Sequence, residues 1–243
     1  MMKNHETADL GETRQTIIQT AHKLFMELGY RAVSTRQIAE ACGVTQPALY
    51  HHFKNKQTLY IEVILTELQK TKNSLERIIK RHKDLKECLM GIAHYILLNK
   101  PEEMHQMFRD IQQELNPESR QLISKSWFDS YVHPLAEIFD KGIQNGELRN
   151  PEVFGADPVS SAFLLLNMLS HSPAQAAGAS PQEQKKIYEQ HVQMLVNVLL
   201  YGIASEEKKY KHIYIFLQHT YHLISFSFPF NLFLSRLFTI HII

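Results

Sequence analysis

Cysteine is almost absent from this 243-residue chain: Cys42 and Cys88 stand far apart and make no C-x-x-C pair. That excludes a disulfide framework and a zinc ribbon, and leaves two buried thiols in a reducing compartment as the plain expectation. Glycine and proline are scarce as well, nine of each, and apolar residues recur three and four apart rather than two. This disfavours a sandwich or a barrel, and the chain reads as all-α. The opening residues Met1-Met2-Lys3-Asn4-His5-Glu6 lack the apolar run of a secretory leader, so a cytoplasmic location is expected.

Signatures of catalysis are missing too. There is no G-x-G-x-x-G, P-loop, H-E-x-x-H or G-x-S-x-G. His51 and His52 are neighbours, about 100° apart on a helix, and cannot readily share one metal ion. The expectation is a protein with no enzymatic activity, no cofactor and no metal.

The 44% of hydrophobic residues can supply a core, but the net charge of +1 says nothing until the chain is divided. Residues 1–86 hold 14 Lys and Arg against 9 Asp and Glu, a net of +5, which leaves 12 against 16, or −4, for the remainder. Cationic charge therefore gathers at the amino end, as a polyphosphate-binding head requires.

The helices are marked by their ends. A first one is expected over Thr13 to Leu28, with Ile17, Ala21, Leu24, Phe25 and Leu28 on one face and Gly29 as its stop. Ser34-Thr35-Arg36-Gln37 has the form of a capping box and opens a short helix that Gly43 closes. Thr45 caps another, with Pro47 in its first turn and Leu49 and Phe53 facing inward. Asn55 then caps a long helix from Lys56 to Arg81, spanning about 40 Å. Further helices are expected near 84–99, 102–114, 118–145, 155–171 and 181–204, with Pro134 kinking or splitting the third of these.

Two short helices around a glycine turn, flanked by an amphipathic helix and a long one, form a helix-turn-helix arrangement. Its second short helix is expected in the DNA major groove. Gln46 can pair with adenine through N6 and N7, and the Ala48 methyl can meet a thymine methyl. Tyr50, His51, His52, Lys54 and Lys56 make a run of groups able to bind phosphate, and Thr35 and Arg36 can grip the backbone similarly. Lys56 opposes the dipole of the helix it begins, an unfavourable placement that a nearby phosphate would reverse.

The stretch Val33-Ser34-Thr35-Arg36-Gln37-Ile38-Ala39, continued by Gly43-Val44-Thr45-Gln46-Pro47-Ala48-Leu49-Tyr50-His51-His52-Phe53-Lys54-Asn55-Lys56, resembles the signature of the TetR/AcrR family of transcriptional regulators. The resemblance covers roughly residues 13–60, with Phe25 and Gly29 also in place. It implies a dimeric bacterial repressor whose divergent carboxy-terminal part binds an inducer. By position it implies phosphate contacts for Thr35, Tyr50, His52 and Lys56, and a groove-facing surface of Thr45, Gln46, Pro47 and Ala48.

The chain thus divides into a helix-turn-helix DNA-binding domain at 1–56 and a helical ligand-binding and dimerisation domain at 57–204. The partners expected are double-stranded DNA with a palindromic operator, a second copy of the chain, and a small effector. Met104, Met107, Phe108, Trp127, Phe128 and Tyr131 are candidates to line an apolar effector cavity, although such a stripe is more often plain core. Arg109, Asp110 and Glu114 could be polar anchors for an effector, but read more readily as solvated surface. Self-association is expected through Val159, Phe163, Leu166 and Ser170 on one late helix and Ile187, His191, Met194, Leu195, Val198 and Gly202 on the next. The tail 205–243 differs in kind: from Tyr210 onward it has no Gly, Ala, Val, Met or acidic residue. It reads as an extension with no selected function, such as a shifted reading frame; membrane contact is the rival reading, weakened by Pro229 and several His and Ser.

Overall fold

A computed structural model of the chain describes residues 3–99, 104–154, 156–170 and 180–201. Every regular element among them is helical. They divide into two compact units, one running up to Arg77 and resuming at Leu98–Pro134, the other comprising Ile78–Leu97 and the described residues from Leu135 onward.

In the first unit, helix α1 runs over Lys3–Ala32, beginning well before Thr13 because no proline or cap interrupts Lys3–Thr13. Its path breaks at Gly29, whose φ of 80° and ψ of 161° suit only glycine. Ile17, Ala21 and Phe25 are buried as the periodicity predicts, whereas Leu28 is half exposed.

Helix α2, Thr35–Cys42, starts with the expected box: Ser34 Oγ accepts the Gln37 N–H at 3.1 Å, and Gln37 Oε1 accepts the Ser34 N–H at 2.7 Å. It ends at Gly43 in the left-handed region, φ 69°. Helix α3 is Gln46–His52, and α4 is Lys56–Arg81, its first turn capped by Asn55 Oδ1 accepting the Thr58 N–H at 2.8 Å. Ile38, Ala39, Leu49, Phe53, Leu59, Tyr60 and Val63 complete the core around α1.

Helix α6, Met104–Glu114, packs on α1. The expected single helix over 118–145 is instead α7, Pro117–Trp127, a widened π turn at Phe128–Val132, and α8, His133–Gln144. The cause is Pro134, which lacks an N–H and crowds the turn before it. The extra residue in the wide turn, where the His133 N–H reaches the Phe128 carbonyl, absorbs that conflict.

The second unit contains α5, Leu85–Leu98, most of α8, a single turn α9 at Pro151–Phe154, α10, Pro158–Ser170, and α11, Pro181–Tyr201. Cys88 is buried, and burial pushes its thiol pKa up to about 11, so it is an unreactive core residue. Helices α10 and α11 pack together through Ala162, Leu165, Leu166 and Leu169 on one and Val192, Leu195 and Val196 on the other. Leu166 and Leu195 are thus buried within the subunit, not available for self-association. Val159, Phe163, Ile187, His191 and Val198 stay only partly covered, and Met194 is 51% exposed. Gly202 and the tail 205–243 lie outside the described residues. No described helix is long and apolar enough to cross a membrane, and no described cluster of His, Cys, Asp and Glu could hold a metal ion.

Gly11 and Gly43 isolate the cost of backbone conformation, because a Cβ at either would meet nothing within 4 Å. Gly11→Ala, inside α1, is expected to raise unfolding free energy by about 0.5–1 kcal/mol. Gly43→Ala is expected to lower it by about 1–2 kcal/mol, since alanine resists the left-handed region. Urea midpoints of the two variants, moving in opposite directions, check this.

Candidate nucleic-acid interface

Helix α3 has only seven residues and cannot persist alone; peptides need roughly 12–15 before they hold helix in water. It is held at both ends and by one anchor. Thr45 Oγ1 accepts the Ala48 N–H at 3.3 Å, the Phe53 N–H closes on the Leu49 carbonyl at 3.0 Å, and the Leu49 side chain is fully buried. Each apolar anchor of this kind contributes about 1.5–3 kcal/mol. With the inward side of α3 used by Leu49, Pro47, Tyr50 and His51 are exposed, while Gln46, Ala48 and His52 are half-buried. Thr45 before the helix and Lys54 after it are exposed as well. The His51 and His52 rings meet edge to face at 5.6 Å.

A chain of polar contacts joins α3 to α2. Thr35 is 8% exposed, and its hydroxyl oxygen accepts from Gln46 Nε2 at 3.1 Å and lies 3.0 Å from the Tyr50 hydroxyl. Its side chain is therefore committed inside the head. Arg36 is fully exposed and pairs with Glu40 at 2.8 Å; that hydrogen bond raises the guanidinium pKa further.

At the start of α4, Lys56 Nζ stands 4.2 Å from the centre of the Tyr30 ring. Burial lowers the lysine pKa, while Glu114 and Asp110 act the other way. An aromatic face and two acids on α6 thus act against the unfavourable placement of a cation at a helix start, without outweighing the cost of burying it. Tyr30 itself packs with Phe25, at 5.9 Å, and with the buried Tyr60, at 4.8 Å.

Asp110 corrects the expectation of solvated surface. It is 4% exposed and accepts the Tyr30 backbone N–H at 2.8 Å, one residue past the break at Gly29. Glu114, one turn on, accepts from Arg31 Nε at 2.6 Å. Two acids spaced i, i+4 on α6 therefore clasp the end of α1. The spacing is visible in the sequence, but the partner, some eighty positions away, has no local signal.

Of the candidate effector residues, Trp127 and Tyr131 are brought together, their rings stacked at 5.7 Å and 24° across the wide turn. Phe128 is half-buried in that turn, and Met107 and Phe108 are half-buried on α6. Met104 opens α6, and its side chain lies outside the described ones.

Comparison with known proteins points one way. Residues 17–63 match the model of the bacterial regulatory proteins, tetR family. The chain is 46% identical over 57 residues to the Transposon Tn10 TetC protein of Escherichia coli, a stretch covering 24% of this chain and 29% of that one. It spans less than a third of the length of the curated relatives it matches in this region. Solved structures match over most of their length. The TetR family transcriptional regulator PfmR from Thermus thermophilus has 26% identity and a TM-score of 0.58, covering 78% of this chain and 96% of that one. AibR, solved with isovaleryl coenzyme A and operator DNA, has 25% identity and a TM-score of 0.58, covering 76% and 98%.

The clasp makes a direct stability prediction. Asp110→Ala removes a charged acceptor from the Tyr30 N–H and is expected to cost about 1.5–3 kcal/mol, with Asp110→Asn costing less because an acceptor remains. Arg36→Ala, which breaks only an exposed pair, is expected to leave the urea midpoint unchanged.

Proposed function

We propose that the chain is a member of the TetR family of bacterial regulatory proteins and a sequence-specific transcriptional repressor, released from its operator by a small effector. The observation that carries this is α3: one buried residue holds it, and Gln46, Pro47, Ala48, Tyr50, His51 and His52 are left partly or fully accessible. Gln46 and Ala48, with Thr45 and Pro47 beside them, meet base edges. Tyr50, His51, His52, Lys54, Lys56 and Arg36 make up the phosphate-gripping rim, with the buried Thr35 hydroxyl supporting Tyr50 from behind. Residues 1–56 form the reading head, and 57–204 the effector-binding and dimerisation domain.

A palindromic operator requires two heads about 34–36 Å apart, hence a homodimer. The half-covered faces of α10 and α11, with Met194 exposed between His191 and Val198, suit an intersubunit four-helix bundle. The protein acts in the cytoplasm, where its DNA is.

The effector carries an apolar portion that meets Trp127, Phe128, Tyr131, Met107, Phe108 and Met104. AibR supports that class, since its bound isovaleryl coenzyme A ends in a branched apolar acyl group. Effector binding tilts α4 and shifts α6, and both reach the same corner: α4 through Lys56 on Tyr30, α6 through Asp110 on the Tyr30 N–H. Hundredfold release needs about 2.7 kcal/mol of coupling, within the usual allosteric range.

Gel shifts on the DNA flanking the protein's own gene, over a series of salt concentrations, test the reading. Lys54→Ala and Lys56→Ala are each expected to weaken binding to every sequence and reduce the salt slope by about 1. Gln46→Ala is expected to relax preference at particular base pairs while keeping the slope. Addition of short-chain and branched acyl thioesters is expected to release the wild-type complex. Equal behaviour of the lysine and glutamine variants contradicts the roles assigned to them.

A further inference from the structure

We propose that Thr35 fixes which way round the Gln46 amide faces the duplex, so that a phosphate bound at Tyr50 makes Gln46 read adenine rather than guanine. The inference rests on the reading of α3 as the base-contacting helix, and it deepens that reading by assigning a positioning role to a buried hydroxyl.

The hydroxyl of Thr35 has one hydrogen to give. Gln46 Nε2 lies 3.1 Å from Thr35 Oγ1 and the Tyr50 hydroxyl 3.0 Å from it, on a side chain only 8% exposed. An amide nitrogen can only donate. If Gln46 donates to Thr35, then Thr35 must donate to Tyr50, the other hydrogen-bonding group that its hydroxyl meets among the described residues, because a buried unsatisfied hydroxyl is costly. Tyr50, accepting from Thr35, keeps its own hydrogen for an acceptor outside the protein, and it is 44% exposed to find one. The direction of donation thus runs from Gln46 through Thr35 to Tyr50 and out.

A phosphate oxygen accepts and never donates, so a phosphate beside Tyr50 selects that direction. It leaves Gln46 with Oε1 and one N–H turned outward, the acceptor and donor pair that matches adenine N6 and N7. The reverse direction, Tyr50 to Thr35 to Gln46 Oε1, would turn both amide hydrogens outward and suit guanine O6 and N7, but it withdraws the Tyr50 proton from the phosphate. Backbone grip and base choice are therefore coupled through one hydroxyl. Thr35 acts through Gln46 and Tyr50 and need not touch DNA with its side chain.

The test compares the full-length wild type with Gln46→Ala, Thr35→Val, Thr35→Ser and Tyr50→Phe on a set of duplexes varied at every operator position. Gln46→Ala first locates the position that Gln46 reads. There the wild type is expected to favour adenine over guanine by about 5- to 150-fold, the range of a good bidentate contact. Thr35→Val, which keeps shape but neither accepts nor donates, is expected to bring that ratio to within about threefold of unity, as expected when the amide can turn over. Thr35→Ser retains the wild-type ratio. Tyr50→Phe weakens binding to all sequences and also moves the ratio toward guanine, because Thr35 must then donate to Gln46 Oε1. The ratio, unlike overall affinity, does not respond to a general loosening of the head. An unchanged ratio in both Thr35→Val and Tyr50→Phe, or a wild-type preference for guanine, overturns the relay while leaving the regulator reading intact. A wild type with no preferred duplex overturns both.

Discussion

A helix too short to sustain itself governs this molecule. The seven residues of α3 stay helical only because Leu49 is driven into a core made by α1, α2 and α4, and because Thr45 and Phe53 close its two ends. One anchor is enough to hold it and too little to consume it. What is left over, an amide, a methyl, a phenol and two imidazoles, is presented on a surface fixed by its neighbours. Rigid support with few side chains spent on support is what base reading demands, since contact geometry must be set before the duplex arrives.

The electrostatics of the head are similarly divided. Its cations are not a single solvated run. Lys54 is open, Arg36 is paired with Glu40, and Lys56 rests on Tyr30 near Asp110 and Glu114. The corner where Lys56, Tyr30, Arg31 and the two acids of α6 meet ties the start of α4, the end of α1 beyond its break at Gly29, and the helix proposed to sense effector. A carboxylate bound to a backbone N–H is directional, so a displacement of α6 by a fraction of its bond length is felt at the end of α1.

Most of the head is legible from its amino acids because its determinants are local. The Ser34–Gln37 box, the glycine at position 43, Thr45 with Pro47, and Asn55 before Lys56 each act within four residues, and α4 begins and ends where its cap and periodicity place it. Three features escape such reading for identifiable reasons. The amino-terminal extension of α1 has no amphipathic pattern to announce it, so nothing marks Lys3 as a start. The widened turn before Pro134 resolves a conflict whose existence is evident but whose solution is not. The Asp110 to Tyr30 bond and the Gln46–Thr35–Tyr50 chain depend on which residues the fold brings together, and spacing along the chain carries no record of that. Faces on α10 and α11 are intermediate: periodicity identifies them as apolar, but only packing separates Leu166 and Leu195, buried within the subunit, from Phe163 and Met194 beside them.

Likeness to solved regulators places the fold and leaves the reading of DNA to be shown for this chain itself. Selection from a pool of fully randomised duplexes, with purified full-length protein at low ionic strength and no added small molecule, examines that claim without presuming an operator. The account predicts enrichment of a two-fold symmetric sequence whose half-site centres lie about one helical turn or a small multiple of it apart. A pool that leaves the selection as random as it entered would contradict it.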